Sequence, residues 1–258
     1  HHEAAPAQHE IDFSYGEVRD IADCIMTFKM AVRIVAKRHG LHATFMPKPK
    51  SEVNGSGMHI QFSLFKNGRN LFEDAEHPGE LSEEARYFIG GLLAHSREMA
   101  LITNPIVNSY KRLVPGYDAP TELTWTEHNQ NSLVRIPVTR GEETRVELRS
   151  PDAASNPYLV LAVCLAAGLD GIRNKIMPPD SIDRNLFEMS EEELKEAGVE
   201  KLPMNLMEAC QEFEKDEYIK NVLGNDLVQK YTQAKKKEYE EYVTQVTEWE
   251  LNKYLHRI

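Results

Sequence analysis

Cysteine is scarce in this chain: three residues, Cys24, Cys164 and Cys210, in 258. Each lies among apolar residues at helical spacing. So small and odd a number excludes a disulfide framework and a thiolate zinc site, and it predicts buried thiols in a reducing compartment. No apolar run is long enough to span a bilayer and no signal-peptide pattern is present, so the expected setting is the cytoplasm, with no membrane partner. Positive charge is also in short supply, 30 Lys and Arg against 41 Asp and Glu, for a net charge of −11. No basic stripe follows from that balance, which argues against nucleic acid as a partner. Internal repeats and low-complexity segments are lacking as well.

What is present is ample material for a core, as one large domain or two small ones. Residues 9–13 and "LHATFMP" (41–47) read as strands. Between them, Val18, Ile21, Ala22, Ile25, Phe28, Val32 and Val35 mark one apolar face of a long helix that stops at Gly40. A loop, "NGSG", leads into an alternating strand at 58–65, and Asn67-Gly68 then favours a hairpin. "SEEARYFIGGLLAHSREMALI" predicts a second long helix capped by Ser82. "ELTWT", "SLVRIPV" and "TRVELRS" are β-like, and "NPYLVLAVCLAAGLDGIRNKI" is apolar nearly all round, as a buried helix would be. "QAKKKEYEEYVTQVTEWELNKYL" predicts one solvated helix. Strands early and helices late, without regular alternation, predict an α+β fold.

Several charged residues fall where charge is costly. His59 and Gln61 share one face of their strand, as do Arg145, Glu147 and Arg149 of theirs, and Arg135 sits within "LVRIP". Arginines on half-buried strands need an ion partner or an anionic ligand. Glu3, Glu10, His59 and Glu147 supply imidazole and carboxylate without thiolate, a donor set suited to Mg²⁺ or Mn²⁺. On composition alone, an internal ladder of ion pairs accounts for the arginines as well as a ligand site does. "VNSYKRLVPGYDAP" is too long and too rich in Pro, Gly and Asn for a simple connector, and such segments are usually functional.

"HHEAAPAQHEIDF", "GLHATFMPKP", "NGSGMH", "VNSYKRLVPGYDAP" and "TRVELRSPDAASNPYL" come in the order and spacing of the type I glutamine synthetase catalytic domain. The resemblance covers essentially all 258 residues. It implies a curved, mainly antiparallel sheet flanked by helices, of the glutamine synthetase/guanido kinase type. It also implies that residues 1–258 are a catalytic domain lacking an N-terminal β-domain and the first catalytic strands. On that view His1 and His2 are native motif and not the remnant of a tag, and the chain alone is inactive because the family's site lies between subunits.

The resemblance implies ATP-dependent ligation of ammonia to the glutamate side chain through γ-glutamyl phosphate, with two or more Mg²⁺ or Mn²⁺ ions, in a homo-oligomer that is dodecameric in the family. Glu3 and Glu10 match ligands of one metal; His59 and Glu147 match ligands of the other. Asn54 and Gly55 match the hold on the glutamate amino group, and Arg112 and Arg149 match arginines on glutamate and the acyl phosphate. Gln61, Ser63 and Arg135 match nucleotide positions. Asp118 stands where the family usually has a glutamate that deprotonates ammonium. Gln130 replaces an arginine, and Gln61 replaces a histidine. These departures surround the transferred phosphate and the amine entry. They leave a γ-glutamyl-amine or polyamine ligase as the first alternative, and a non-catalytic paralogue acting by assembly as the second. Phe187 replaces the tyrosine that some family members adenylylate.

Overall fold

Residues 1–127, 132–182 and 189–258 are described by the computed structural model; Gln130 and Phe187 lie outside them. Among the described residues the strands are β1 (Ile60–Phe62), β2 (Phe65–Lys66), β3 (Arg69–Asn70), β4 (Trp125–Thr126), β5 (Val134–Arg135) and β6 (Val146–Leu148). Four of them form a sheet in the order β1-β6-β5-β4, antiparallel except for the β4–β5 pair. Strands β2 and β3 make the expected hairpin, with Asn67 and Gly68 both at positive φ (54° and 78°), the geometry that an Asn-Gly turn adopts most readily.

Alternation divides the sheet into two chemical faces. Phe62 lies opposite Val146 and Leu148 opposite Val134, all of them buried. Gln61 and Arg135 both lie opposite Glu147, on the other side. The apolar face rests on helices. Phe88 packs its ring 5.6 Å from that of Phe62 and 5.1 Å from that of Phe72.

The helices are α1 (Val18–Arg38), α2 (Glu83–Ala94), α3 (Ser96–Thr103), α4 (Ser109–Arg112), α5 (Pro157–Asn174), α6 (Glu191–Glu196), α7 (Leu206–Phe213), α8 (Glu217–Leu223), α9 (Asn225–Val243) and α10 (Glu248–Tyr254). Ser82 caps α2 by accepting from the Ala85 amide, as its sequence predicts. Asn156 caps α5, whose Val160, Val163, Cys164 and Ala167 are fully buried. Helix α5 is the hub: α1, α2, α3 and α8 all pack against it.

Five expectations are corrected: two strands, the burial of Cys24 and the continuity of two helices. Residues 10–13 and 41–46 form no strand, because no segment of the described chain offers them a ladder; only the bridge between His2 and His9 forms near the first. Helix α1 exists as expected, but of its apolar face only Ala22 is buried, while Val18 and Val35 are exposed. Periodicity identifies the apolar side of a helix and says nothing of what covers it. Cys24, on that helix, is exposed, whereas Cys164 and Cys210 are buried. The charged helix near the end is two helices: Thr247 and Glu250 form a capping box that starts α10 afresh.

The second long helix is likewise two, broken at His95 (φ −105°, ψ 5°). The imidazole reaches away from its own helices, Nδ1 to Asp216 of the α8 cap (2.5 Å) and Nε2 to Asp170 of α5 (3.1 Å), and its ring lies 5.5 Å from that of Tyr218. Burial alone depresses the His95 pKa, but the two carboxylates outweigh it and hold the pKa above the usual histidine range. A pKa raised on folding stabilises the protein below the unfolded value and loses that contribution as pH rises through the folded value. The His95→Gln variant is therefore expected to fall furthest below wild type in thermal midpoint at about pH 6, near the unfolded value, with the gap closing toward pH 9. A gap independent of pH over that range would refute the charged clamp.

Candidate active site

The polar face of the sheet gathers most of the residues singled out from the sequence. Glu147, 2 % exposed, is its centre. Its Oε1 lies 3.3 Å from His59 Nδ1 and 3.9 Å from Arg149 Nε, and its Oε2 accepts from Arg135 Nε at 2.5 Å. Strand pairing enforces this meeting, because Arg135 and Gln61 are the cross-strand partners of Glu147 and His59 lies one alternation from Gln61. Burial opposes the Glu147 charge, yet the His59 hydrogen bond and the two guanidinium groups keep its pKa below the usual range. Desolvation, helped by Arg149 and Arg112, lowers the His59 pKa despite Glu147. At neutral pH this is an anionic carboxylate beside a neutral imidazole, the protonation state in which both bind a divalent cation.

Arg149 is the anomaly of the face. Its side chain is 9 % exposed, and its buried Nε and Nη1 have no hydrogen-bond partner. Donors left unused on a buried cation are costly, and each of these N–H groups can donate to an anion.

Arg112 lies beneath, 2 % exposed, donating from Nη1 to the Ser150 carbonyl (2.7 Å) and from Nη2 to that of Arg149 (3.0 Å). Burial and the nearby Arg149 charge lower its pKa to about 10, against the pull of Asp152. It thus holds the backbone that carries Arg149. The glycine loop closes over it: a Cβ on Gly57 would fall 2.6 Å from Arg112 Nη2 and 2.9 Å from His59 Nε2, and one on Gly55 would fall 2.6 Å from the Pro47 carbonyl. No other residue lets this loop approach so closely.

At the rim, Asn54 Nδ2 donates to Asp118 Oδ2 (2.5 Å), joining the glycine loop to the 113–118 segment; Asp118 itself is held at φ 51°. Gln61 accepts from Arg145 Nε at 2.5 Å, and Ser63 is exposed two residues further on.

Glu3 and Glu10 form a second group, together with His1: one potential ligand atom from each lies within 4.8 Å of the others. Among the described residues it is the one group of three or more such side chains. The Glu3 hydrogen bond, burial and the charges of Asp12 and Glu3 raise the Glu10 pKa to about 7. Two carboxylates so close need a proton or a cation between them, and the donor set fits a hard divalent ion. Gln8 ties this group to the glycine loop, donating from Nε2 to the Gly55 carbonyl (2.9 Å) and to Ser56 Oγ (3.1 Å).

His1 and Gln8 were not singled out from the sequence. Two-residue spacing from Glu3 could have flagged His1; Gly55 and Ser56, which Gln8 meets, lie far from it in sequence.

Residues 1–254 match the family model "Glutamine synthetase, catalytic domain". Glutamine synthetase of Clostridium saccharobutylicum is 52% identical over 257 residues, covering 100% of this chain and 58% of the relative. That of Methanosarcina mazei is 51% identical over 255 residues, covering 99% of this chain and 57% of the relative. A solved structure described as a GmaS/ADP complex superposes with a TM-score of 0.84 at 38% identity, over 94% of this chain and 56% of that one. An apo GmaS structure gives a TM-score of 0.80 at 39% identity, over 94% of this chain and 55% of that one. The chain therefore spans somewhat more than half the length of the relatives it matches, and it belongs to the glutamine synthetase family by that family's catalytic domain.

Proposed function

We propose that residues 1–258 act as the catalytic domain of a longer, ATP-dependent ligase that joins ammonia, or another small amine, to the side-chain carboxylate of glutamate. The observation that carries this reading is Arg149, a buried cation with two unused donors beside Glu147 and His59. In the first half-reaction a glutamate carboxylate oxygen attacks the γ-phosphorus of ATP, and the bond to the ADP oxygen breaks. In the second, the amine attacks the acyl carbon, phosphate leaves, and the surplus proton passes to Asp118.

Arg135 takes the nucleotide phosphates, with Gln61 and Ser63 as further nucleotide contacts across β6 from it. Arg149 binds the phosphoryl group being transferred, and Arg112 adds its charge from below. Asn54 and the Gly55 carbonyl hold the glutamate amino group. Mg²⁺ or Mn²⁺, held by Glu3 and Glu10 in one group and by His59 and Glu147 in the other, would offset the charge of two anions brought together. The complete enzyme is proposed to be a cytoplasmic homo-oligomer, dodecameric as in the family, whose neighbouring subunit completes the site. No helix among the described residues is long and apolar enough to cross a membrane.

The test is Arg149→Met, assayed by ATP turnover with glutamate and a panel of amines in the full-length protein. We expect turnover to fall about 10²–10³-fold, the usual loss when a transition-state donor is removed. The thermal midpoint should hold or rise, because the substitution removes two buried donors without hydrogen-bond partners while Glu147 keeps His59 and Arg135. A lower midpoint with turnover intact would make Arg149 a structural residue and sink the reading.

A further inference from the structure

Lys48 has an environment that the fold alone does not require. Its main chain is clamped by one side chain: its amide donates to Asn108 Oδ1 (2.8 Å), and Asn108 Nδ2 donates to its carbonyl (3.0 Å). Its side chain then leaves in a fixed direction. The ammonium donates to the Val53 carbonyl, at the entry of the glycine loop, and stands 3.7 Å from the centroid of the Tyr117 ring. Among the described residues no carboxylate pairs with it; a carbonyl and an aromatic face are the partners it has. An ammonium over a tyrosine face is attracted by the ring quadrupole, more strongly as it is desolvated, and burial does lower the pKa of Lys48.

Tyr117 directly precedes Asp118, whose backbone stands at φ 51°. A residue in the left-handed region with a short polar side chain persists when its surroundings hold it there. Two contacts from the glycine-loop side do so: Asn54 on the Asp118 carboxylate, and Lys48 on the ring one residue earlier. The Asn54 contact involves two groups that the reaction itself uses, the Asp118 carboxylate and the amide that serves the substrate. The Lys48 contact touches neither.

We infer that Lys48 is a positioning residue, holding Tyr117 by a cation–π contact so that Asp118 stays aimed at the amine subsite through the catalytic cycle; this rests on the ligase reading above. The same ammonium fixes the Val53 carbonyl, so one side chain sets the distance between the loop that holds glutamate and the segment that takes the proton.

The experiment places 3-fluorotyrosine at position 117 and compares wild type, Lys48→Met and Lys48→Arg. Fluorine resonances are read on the 258-residue chain, and steady-state kinetics on the full-length protein. Lys48→Met keeps the stem and removes the charge. It should shift the fluorine resonance and raise KM for the amine about tenfold, a loss in the range expected when a reacting group is misplaced by less than an ångström. KM for ATP should stay within about twofold. Lys48→Arg, which keeps a cation over the ring, should restore both readouts. Tyr117→Leu is the second variant: Tyr117 is only partly buried, and removing its ring should raise the amine KM as Lys48→Met does.

An unshifted resonance in Lys48→Met overturns the inference, as does a KM change spread equally over all substrates. Wild-type protein that turns over no amine would defeat the ligase reading and the positioning role together, while the resonance would still report the contact. The two failures are thereby told apart.

Discussion

Replacing Glu147 with alanine is expected to abolish ligase turnover, by about 10³-fold or more, and to destabilise the chain by roughly 3 kcal/mol. Both effects have one origin. The buried carboxylate faces His59, Arg135 and Arg149, and removing it leaves two arginines and an imidazole with nothing between them. The stability loss is set at the low end of the range for a broken buried pair, because the Arg135 and His59 side chains are each about a third exposed and water can replace part of what is lost. Glu147→Gln separates the two effects. It keeps the volume and a hydrogen-bond acceptor, so about half of the stability should return, but the charge is gone and turnover should not. Chemical denaturation beside a coupled ATPase assay reads both. Recovery of activity in Glu147→Gln would mean that the carboxylate serves only the ion pairs of the sheet.

The largest effect away from the site is expected at the crossing of α2 and α5. A Cβ on Gly171 would fall 2.0 Å from the Tyr87 carbonyl oxygen and 2.6 Å from the Gly91 amide nitrogen; one on Gly91 would fall 2.1 Å from the Ala167 carbonyl oxygen. These obstacles are main chain and have no rotamer to change, so the two helices must part. Overpacking of this kind costs about 3 kcal/mol, against about 1 kcal/mol recovered from the better helix propensity of alanine. Gly171→Ala should therefore lose about 2 kcal/mol net and expose core around Phe88. Gly91→Ala should do the same, and the double variant should lose less than the sum, because helices once parted admit the second methyl group. Additive losses in denaturant titrations would mean that the two contacts yield independently.

The polar face was legible in part because strand period is two: His59 and Gln61 share one side of their strand and Arg145, Glu147 and Arg149 one side of theirs, and the register of β1, β5 and β6 then brings these sides and Arg135 together. Ser82, Asn67 and Gly68 were legible for a similar reason, since caps and turns depend on the residues that form them. The break at His95 was not. Helical period runs straight through it, and its cause lies on α5 and α8, in Asp170 and Asp216. The missing strand at 41–46 failed differently: alternation was there, but a ladder needs a neighbour. Arg112 shows how far spacing reaches. The motif marks it as functional, while only the coordinates reveal that its guanidinium is spent largely on the carbonyls of Arg149 and Ser150. Gln8 and Lys48 were invisible, since an amide or an ammonium is common on any surface and becomes specific only through what folding brings against it.

The proposed reaction turns on phosphoryl transfer from ATP to a carboxylate gripped by this face. Glutamate labelled with oxygen-18 at both side-chain oxygens, turned over with ATP and ammonia by the full-length protein, reports that step. Each phosphate released is expected to carry one labelled oxygen, because the oxygen that attacks phosphorus leaves with it when the amine displaces the acyl phosphate. Phosphate released without label, at a rate matching product formation, would contradict it.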